Sequence, residues 1–293
     1  MNTLLIAIIT QTLCFLPLAF GISISYHVLR ATDMTIDGSF VLGAAIFARI
    51  VTLGFSPIIA LFGALLGGAS AGMLAAFIQR DSRVEPLLAG ILATFILSSL
   101  TLILMGKPNI SLLAQPSLVS FAFEKNLWLG WMFVAGYSAL FCALVFLILQ
   151  TRFGLMLRAL GDNSFLLKKI GKPIEWYRLA GFALTNLLAA SAGCLTAQTV
   201  GYADIGMGFG MTLTGVGAII LGQQVLQRIR SSHTLRLGSE FIACLLGVIL
   251  YFFAVNFLFR LNIDPIYLKM LLGILLVIFL RASMQKNMER MSC

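Results

Sequence analysis

Long apolar segments separated by short polar ones dominate this sequence. Nine stretches carry no charged residue or nearly none: 3–26, 38–55, 57–79, 86–106, 130–150, 179–203, 205–227, 241–259 and 266–280. Most of them reach the roughly 20 residues that a helix needs to cross about 30 Å of hydrocarbon. The stretches 38–55, which contains Arg49, and 266–280 are shorter. Because the apolar residues are continuous rather than alternating, they favour helices over the strands of a membrane barrel.

This pattern predicts an all-α fold, a polytopic membrane helical bundle of about nine spans, one or two of them discontinuous. We expect a single transmembrane domain over residues 1–293. The first apolar run is too long for the hydrophobic region of a signal peptide, so we expect it to be retained as a span.

Composition supports the membrane interpretation and argues against a soluble enzyme. The chain has 293 residues, of which 60% are hydrophobic and 11% are charged, whereas a globular domain carries about 25% charged residues. Its five cysteines are scattered and have no metal-binding spacing. The sequence Gly-Lys occurs at 106–107 and at 171–172, but proline follows it both times, so neither is a phosphate-binding loop. We therefore predict no catalytic site, no metal and no bound cofactor in this chain.

The basic residues are distributed unequally between the loops. Of the 20 Lys and Arg residues, all but five fall on one side when loops are assigned alternately. The five exceptions are Arg49, Lys107, Lys125, Arg260 and Lys269. The positive-inside rule then places the N-terminus outside and the C-terminus in the cytoplasm. The net charge of +9 is explained by this orientation, and we expect a lipid bilayer rather than nucleic acid as the partner.

Two segments interrupt the apolar pattern and are candidates for a solute path. After the first span, Asp33 and Asp37 lie in a turn over 32–40, and Asp37 or Ser39 is expected to cap the next helix. Because that helix is short before Arg49, the turn suggests a discontinuous span whose N-terminal dipole faces a path, although an ordinary capped loop remains an alternative. The segment 201–217 contains six glycines, which predicts a break that lines a path or a subunit interface, with plain close packing as the alternative.

The polar residues inside the apolar runs are uncharged ones such as Thr185, Asn186 and Thr212. We interpret them as hydrogen-bonding along their own helix or to a neighbouring helix. No run carries an acid at its centre, which disfavours an ion-coupled transporter.

The longest basic loop, 151–178, is expected to lie in the cytoplasm. Asn163 or Ser164 is a suitable N-cap, and Gly171 followed by Pro173 is a suitable stop, so about two helical turns are predicted between them. A helix this short is not stable in water by itself. It must therefore dock, either flat in the lipid interface or in the groove of a partner protein.

Three stretches of the sequence carry recognisable motifs. They are the turn 32–39, the late segment 217–222 and the cytoplasmic pattern Thr-x-x-Gly-x-x-x-Arg-Ala-x-Gly-x-Asn, carried here by Thr151, Gly154, Arg158, Ala159, Gly161 and Asn163. Together they resemble the permease subunits of bacterial ABC importers of the branched-chain amino acid and ribose type. That family has a Gly-x-Asp-Leu-Ser-Val-Gly-Ser-like sequence at the place of the turn 32–39 and an Ala-Val-Val-Leu-Gly-Gly-like sequence at the place of 217–222. The early turn also resembles a tryptophan- or tyrosine-type subgroup.

The resemblance implies partners and a division of roles. Two permease chains, here expected to be a homodimer, form one pathway in the bacterial inner membrane, and an extracytoplasmic solute-binding protein delivers an amino acid or similar small solute. A separate ATPase binds ATP and Mg and seats the short cytoplasmic helix. The chain departs from the family where Phe165, Leu166 and Leu167 replace small residues. A self-contained secondary transporter or channel is the alternative.

Nine residues are implied to couple to the ATPase: Gly154, Arg158, Ala159, Gly161, Asn163, Phe165, Leu166, Ile170 and Gly171. Nine others are candidates for the translocation path: Asp33, Thr35, Asp37, Gly38, Ser39, Phe40, Gly206, Gly208 and Gly210.

Overall fold

The structure is a computed structural model that describes residues 2–80, 84–113, 115–229, 237–261, 270, 273 and 274. Eleven α-helices and two short strands occur in these ranges. The helices are α1 Asn2–Ser23, α2 Thr35–Thr52, α3 Pro57–Ile78, α4 Pro86–Met105, α5 Leu118–Lys125, α6 Leu127–Gln150, α7 Arg152–Asp162, α8 Ser164–Lys169, α9 Ile174–Val200, α10 Met211–Ile229 and α11 Leu237–Arg260. The strands are β1 Asn109–Ser111 and β2 Tyr202–Asp204, which pair antiparallel.

Eight helical segments in the described ranges are long and apolar enough to cross a membrane. They are Leu5–Val28, Thr35–Thr52, Pro57–Ile78, Pro86–Met105, Trp128–Gln150, Ile174–Val200, Ile205–Leu226 and Gly238–Arg260. Each corresponds to one of the first eight apolar runs, so the predicted all-α polytopic bundle is confirmed. The ninth run, 266–280, lies outside the described residues except for three of its members.

The described residues form two compact units. One contains 13–216, and the other contains 2–12 together with the described residues from 217 onward. Helices α1 and α10 each contribute residues to both units.

In the larger unit, α2 is the central helix and packs between α3, α4 and α9. The small residues that the sequence spaces four apart in α3 face two different neighbours. Gly63 and Gly67 lie against isoleucines of α2, whereas a Cβ at Gly68 or Gly72 would collide with α9. Because small residues let helix backbones approach closely in lipid, α3 joins these two helices into one packed core.

In the smaller unit, α10 and α11 cross closely through two glycines. A side chain at Gly222 would collide with the carbonyl of Ala243, and one at Gly247 would collide with the carbonyl of Ala218. Within this smaller unit, Asn256 of α11 donates a hydrogen bond from Nδ2 to Oε1 of Gln11 of α1 at 2.7 Å.

The predicted interruptions have a mixed outcome. Helix α2 is uninterrupted through Arg49, so the prediction of a discontinuous span over 38–55 is wrong; Arg49 is exposed, and its long side chain does not have to enter the apolar core. The predicted break at 201–217 is confirmed. Gly201 ends α9 with φ +85°, a 3-10 turn covers Ile205–Gly208, and Gly210, with φ +80°, precedes α10.

Candidate translocation path and coupling surface

A buried polar cluster joins the connection after the first span to helix α9. Asp33 is fully buried; its Oδ1 accepts from the Thr35 amide at 2.9 Å and its Oδ2 accepts from Asn186 Nδ2 at 2.7 Å. The Asn186 Oδ1 in turn accepts from the Ser39 hydroxyl at 2.6 Å. Burial raises the pKa of the Asp33 carboxyl, and the hydrogen bonds from Thr35 and Asn186 oppose that rise. The cluster therefore ties the start of α2 to α9.

The side-chain cap expected for α2 is not formed, since the N-cap residue is Met34 and makes no side-chain cap hydrogen bond. Neither Asp37 nor Ser39 caps this helix, because both lie inside its first turns and Asp33 accepts from the Thr35 amide instead. This prediction is wrong because a residue within the helix cannot serve as the N-cap, which must flank the first turn.

Asp37 instead caps the start of another helix, α10. Its Oδ2 accepts from the Gly210 amide at 3.0 Å, and its Oδ1 accepts from the Thr212 amide and hydroxyl, both at 2.6 Å. The first amides of a helix have no carbonyl partner within it, and a carboxylate there also favours the helix dipole. Asp37 therefore fastens the segment after the glycine-rich break to the N-terminal turn of α2.

The glycines of the break differ in their surroundings. A Cβ at Gly208 would collide with the Asp37 carbonyl and with Val41, so only glycine permits this close approach. Gly206 is exposed, and its amide donates to Asp204 Oδ1 at 2.7 Å. The structure therefore brings Gly208 and Gly210 to Asp37 but leaves Gly206 beside β2.

Most of the early-turn residues proposed for the path are packed inside the protein. Thr35, Gly38, Ser39 and Phe40 are buried together with Asp33, and Asp37 is half-buried. A Cβ at Gly38 would approach Leu97 to 3.0 Å. Among the described residues of the break, Tyr202, Phe209 and Leu213 are large side chains that are exposed, and none of them was among the residues expected to line the path. Because they are apolar or aromatic residues in a largely apolar part of the sequence, nothing in the sequence distinguished them from residues that face lipid or the core.

On the basic side of the protein, α7 is fixed by close backbone contacts. A side chain at Gly154 would collide with the backbone of Leu149, and one at Gly161 would collide with the carbonyl of Val28. Arg158 donates from Nη2 to the Leu149 carbonyl at 2.6 Å, and half-buried Ala159 accepts from the Asn163 amide at 2.9 Å. These contacts hold α7 against the last turn of α6 and the end of the first span.

The predicted two-turn helix is confirmed as α8. Asn163 Oδ1 accepts from the Phe165 amide at 3.1 Å, and Gly171 ends the element with φ +72°. Leu167 is 1% exposed and anchors the helix, whereas Phe165 and Ile170 are 62% and 59% exposed. Among the residues expected to couple to the ATPase, Leu166 has a side chain that lies outside the described set. We call residues 163–171 the inner knob.

The arrangement is that of a membrane transport permease: apolar spans, a broken segment fastened by a carboxylate and a capped knob on the basic side. Within the described ranges, no cluster of His, Cys, Asp or Glu could hold a metal ion. The family model described as "Branched-chain amino acid transport system / permease component" matches residues 4–280. The chain belongs to this family and is an ABC transporter permease subunit, a multi-pass inner-membrane protein.

Three relatives illustrate the range of the family. An uncharacterized protein of Rickettsia prowazekii is 42% identical over 97% of this chain and 99% of its own length. The tyrosine transport system permease protein of Clostridioides difficile is 31% identical over 94% and 90%, respectively. The ribose import permease protein of Escherichia coli is 24% identical over 65% and 60%. Family membership favours a translocation subunit over an enzyme.

Proposed function

We propose that this chain is the membrane subunit of an ATP-driven importer, that it forms the solute path, and that a separate ATPase chain drives it through the inner knob. The observation that carries this proposal is the knob itself. Its Leu167 is buried while Phe165 and Ile170 face outward. An exposed apolar face flanked by Lys168 and Lys169 suits a groove in a partner protein. ATP and Mg would be held by that partner.

Contacts of α7 connect the knob to the segment that follows the first span. Gly161 of α7 touches the carbonyl of Val28, and Asp162 pairs with Arg30 at 2.7 Å. These contacts connect α7 to the segment 29–34, which ends at the Asp33 cluster. Asp37, in the first turn of α2 that follows this cluster, accepts hydrogen bonds from the amides of Gly210 and Thr212 at the break and the start of α10. We propose that movement of the knob reaches the path along this route.

The proposed solute is an amino acid or similar small molecule, delivered outside the cell by a solute-binding protein. Support comes from the family description and from the tyrosine transport permease among the relatives. We also propose that two copies of this chain form the path and that exposed Phe209 and Leu213 beside the break contribute to it. Residues 1–293 would act as one transmembrane domain, since the family model matches residues 4–280.

The orientation proposed is N-terminus outside and C-terminus in the cytoplasm. Within the larger unit, the basic loop with α7 and α8 joins the end of the first span, where Arg30 lies. The paired strands β1 and β2 are not part of this group; between them, Asn109 Nδ2 donates a hydrogen bond to Asp204 Oδ2 at 3.3 Å. The positive-inside rule assigns the first group to the cytoplasm.

Uptake in proteoliposomes tests this proposal. Labelled tyrosine is supplied with its binding protein outside and ATP inside, with and without the ATPase chain. We expect uptake only when both ATPase and ATP are present. Equal uptake driven by an ion gradient without the ATPase would show a self-contained transporter and refute the proposal.

A pair of variants then tests the knob. Phe165→Asp places a charge on the exposed apolar face and is expected to lower ATP-driven uptake about tenfold or more, the effect of a hot-spot loss of at least about 1.4 kcal/mol. Phe165→Leu keeps the face apolar and serves as the matched control. Because Phe165 is exposed, both variants should fold and purify like the unchanged protein. Full uptake by Phe165→Asp would show that the exposed apolar face of the inner knob is not needed for coupling to the ATPase.

A further inference from the structure

A cavity of about 340 Å³ lies within the larger unit, at the ends of the spans that carry most of the basic residues. Its wall contains Arg30 from the connection after the first span, Gln79 after α3, Glu85 before α4, Leu160 of α7 and Arg178 of α9. The cavity thus lies where four spans meet the base of the inner knob. None of these residues belongs to the polar cluster or to the break.

Gln79 gives this cavity an unusual feature. The residue is only 3% exposed, and among the described residues its side-chain Nε2 has no hydrogen-bond partner. Buried donors in native proteins are almost always paired, and an unpaired one calls for a missing acceptor. Since Gln79 lines the cavity, an oxygen of a molecule bound there would supply such an acceptor.

Two guanidinium groups point to the charge of the occupant. The Arg178 side chain is 21% exposed, and its two contacts with described residues are long: Nη1 lies 3.4 Å from the Gln79 carbonyl and 3.5 Å from Glu175 Oε1. Arg30 pairs with Asp162 at 2.7 Å, but both side chains are well exposed, so this pair is weak. Planar guanidinium groups match the oxygens of phosphate in a two-pronged geometry.

Glu85 limits which kind of anionic molecule the cavity could bind. A simple anion would be repelled by this carboxylate, whereas a headgroup with an ammonium next to its phosphate would use it. Leu87 and Leu88, which follow the cavity-lining Pro86, are exposed on α4 and offer a surface for acyl chains. We propose that the cavity binds the phosphoethanolamine headgroup of a membrane phospholipid, with the phosphate on Gln79, Arg178 and Arg30 and the ammonium on Glu85.

Lipid binding at this site would affect the proposed coupling of the ATPase to transport, because Leu160, which lines the cavity, and Asp162, which pairs with Arg30, both belong to α7. A bound headgroup would brace α7 against the ends of α3, α4 and α9. Placing the lipid in the cytoplasmic leaflet rests on the proposed orientation. Binding itself does not depend on the proposed function, since it needs neither the ATPase nor a solute.

Native mass spectrometry of the purified, delipidated chain tests the proposal. The probes are phosphatidylethanolamine, phosphatidylglycerol, which lacks the ammonium, and inorganic phosphate. The unchanged protein should retain phosphatidylethanolamine, and Gln79→Leu or Arg178→Gln should weaken its binding about tenfold or more, because each removes a hydrogen bond to a charged group. Arg80→Gln changes an exposed neighbour that does not line the cavity and should bind like the unchanged protein.

The remaining outcomes separate the alternatives. Glu85→Gln, a change at an exposed side chain that leaves the fold intact, should abolish the preference for phosphatidylethanolamine over phosphatidylglycerol. Equal retention of phosphatidylethanolamine by all variants would refute the site. Displacement of the lipid by millimolar inorganic phosphate would show a site for soluble phosphate and overturn the assignment to a lipid.

Discussion

Replacement of Asn186 by leucine tests the polar cluster that joins α2 to α9. The Asn186 side chain donates to Asp33 at 2.7 Å and to the Phe182 carbonyl at 2.9 Å, and it accepts from Ser39 at 2.6 Å. Leucine has a similar size but no polar atoms. Asn186→Leu therefore leaves one carboxylate oxygen and one hydroxyl without their partner in a site that excludes water.

The expected loss of stability follows from these two orphaned groups. A buried group left without a partner costs about 1–3 kcal/mol, and a charged one costs more. The Ser39 hydroxyl can turn back to a carbonyl of its own helix, which lowers its share. We expect a total of about 2–4 kcal/mol, which corresponds to a fall in Tm of roughly 5–15 °C for a protein of this size.

The assay is thermal unfolding of the purified protein in detergent, followed by the loss of its monodisperse elution peak. Ser191→Ala is the matched control, because Ser191 is equally buried on α9 and its hydroxyl donates only to the Leu188 carbonyl of the same helix. That variant orphans no side chain, and its Tm should fall by less than about 4 °C. If the two variants lose the same amount, the cluster does not hold α2 and α9 together.

Two other substitutions test the links between the knob and the path. Asp37→Ala removes the acceptor of the Gly210 and Thr212 amides, so their hydrogen exchange should accelerate at least about tenfold; exchange at the unchanged rate would show that the carboxylate does not fasten α10. Gly161→Ala forces α7 away from the first span and should lower both Tm and ATP-driven uptake, whereas Gly136→Ala, with open space around its Cβ, should be neutral or stabilising by up to about 1 kcal/mol. Matching Tm values for the two alanine variants would contradict the close approach at Gly161.

Local features of this protein were predictable from its sequence. The spans follow from apolar runs whose length matches a bilayer, and α8 follows from a cap and a stop only eight residues apart, Asn163 and Gly171. The break at 201–210 follows from the conformational cost of its glycines. In each case the determining residues lie within one short segment.

The contacts between distant segments were not predictable. Asp37 finds its partner 175 residues away at Thr212, and nothing in either segment distinguishes this bond from a local cap. The discontinuous span expected over 38–55 was wrong because the charged Arg49 is tolerated on the exposed side of an otherwise buried helix. The bonding of Asn186 was predictable in kind, since an amide within an apolar span is expected to bond along its own helix or to a neighbouring helix. It donates to Phe182 of its own helix and to Asp33, and it accepts from Ser39 of α2.

Site-specific photocrosslinking in intact membranes tests the central claim most directly. A photoreactive residue replaces Phe165 on the inner knob or, as the control, Trp128, which is exposed at the start of α6. The ATPase chain should be captured from position 165 and not from position 128. Capture from position 128, or capture of lipid alone from position 165, would contradict an importer driven through this knob.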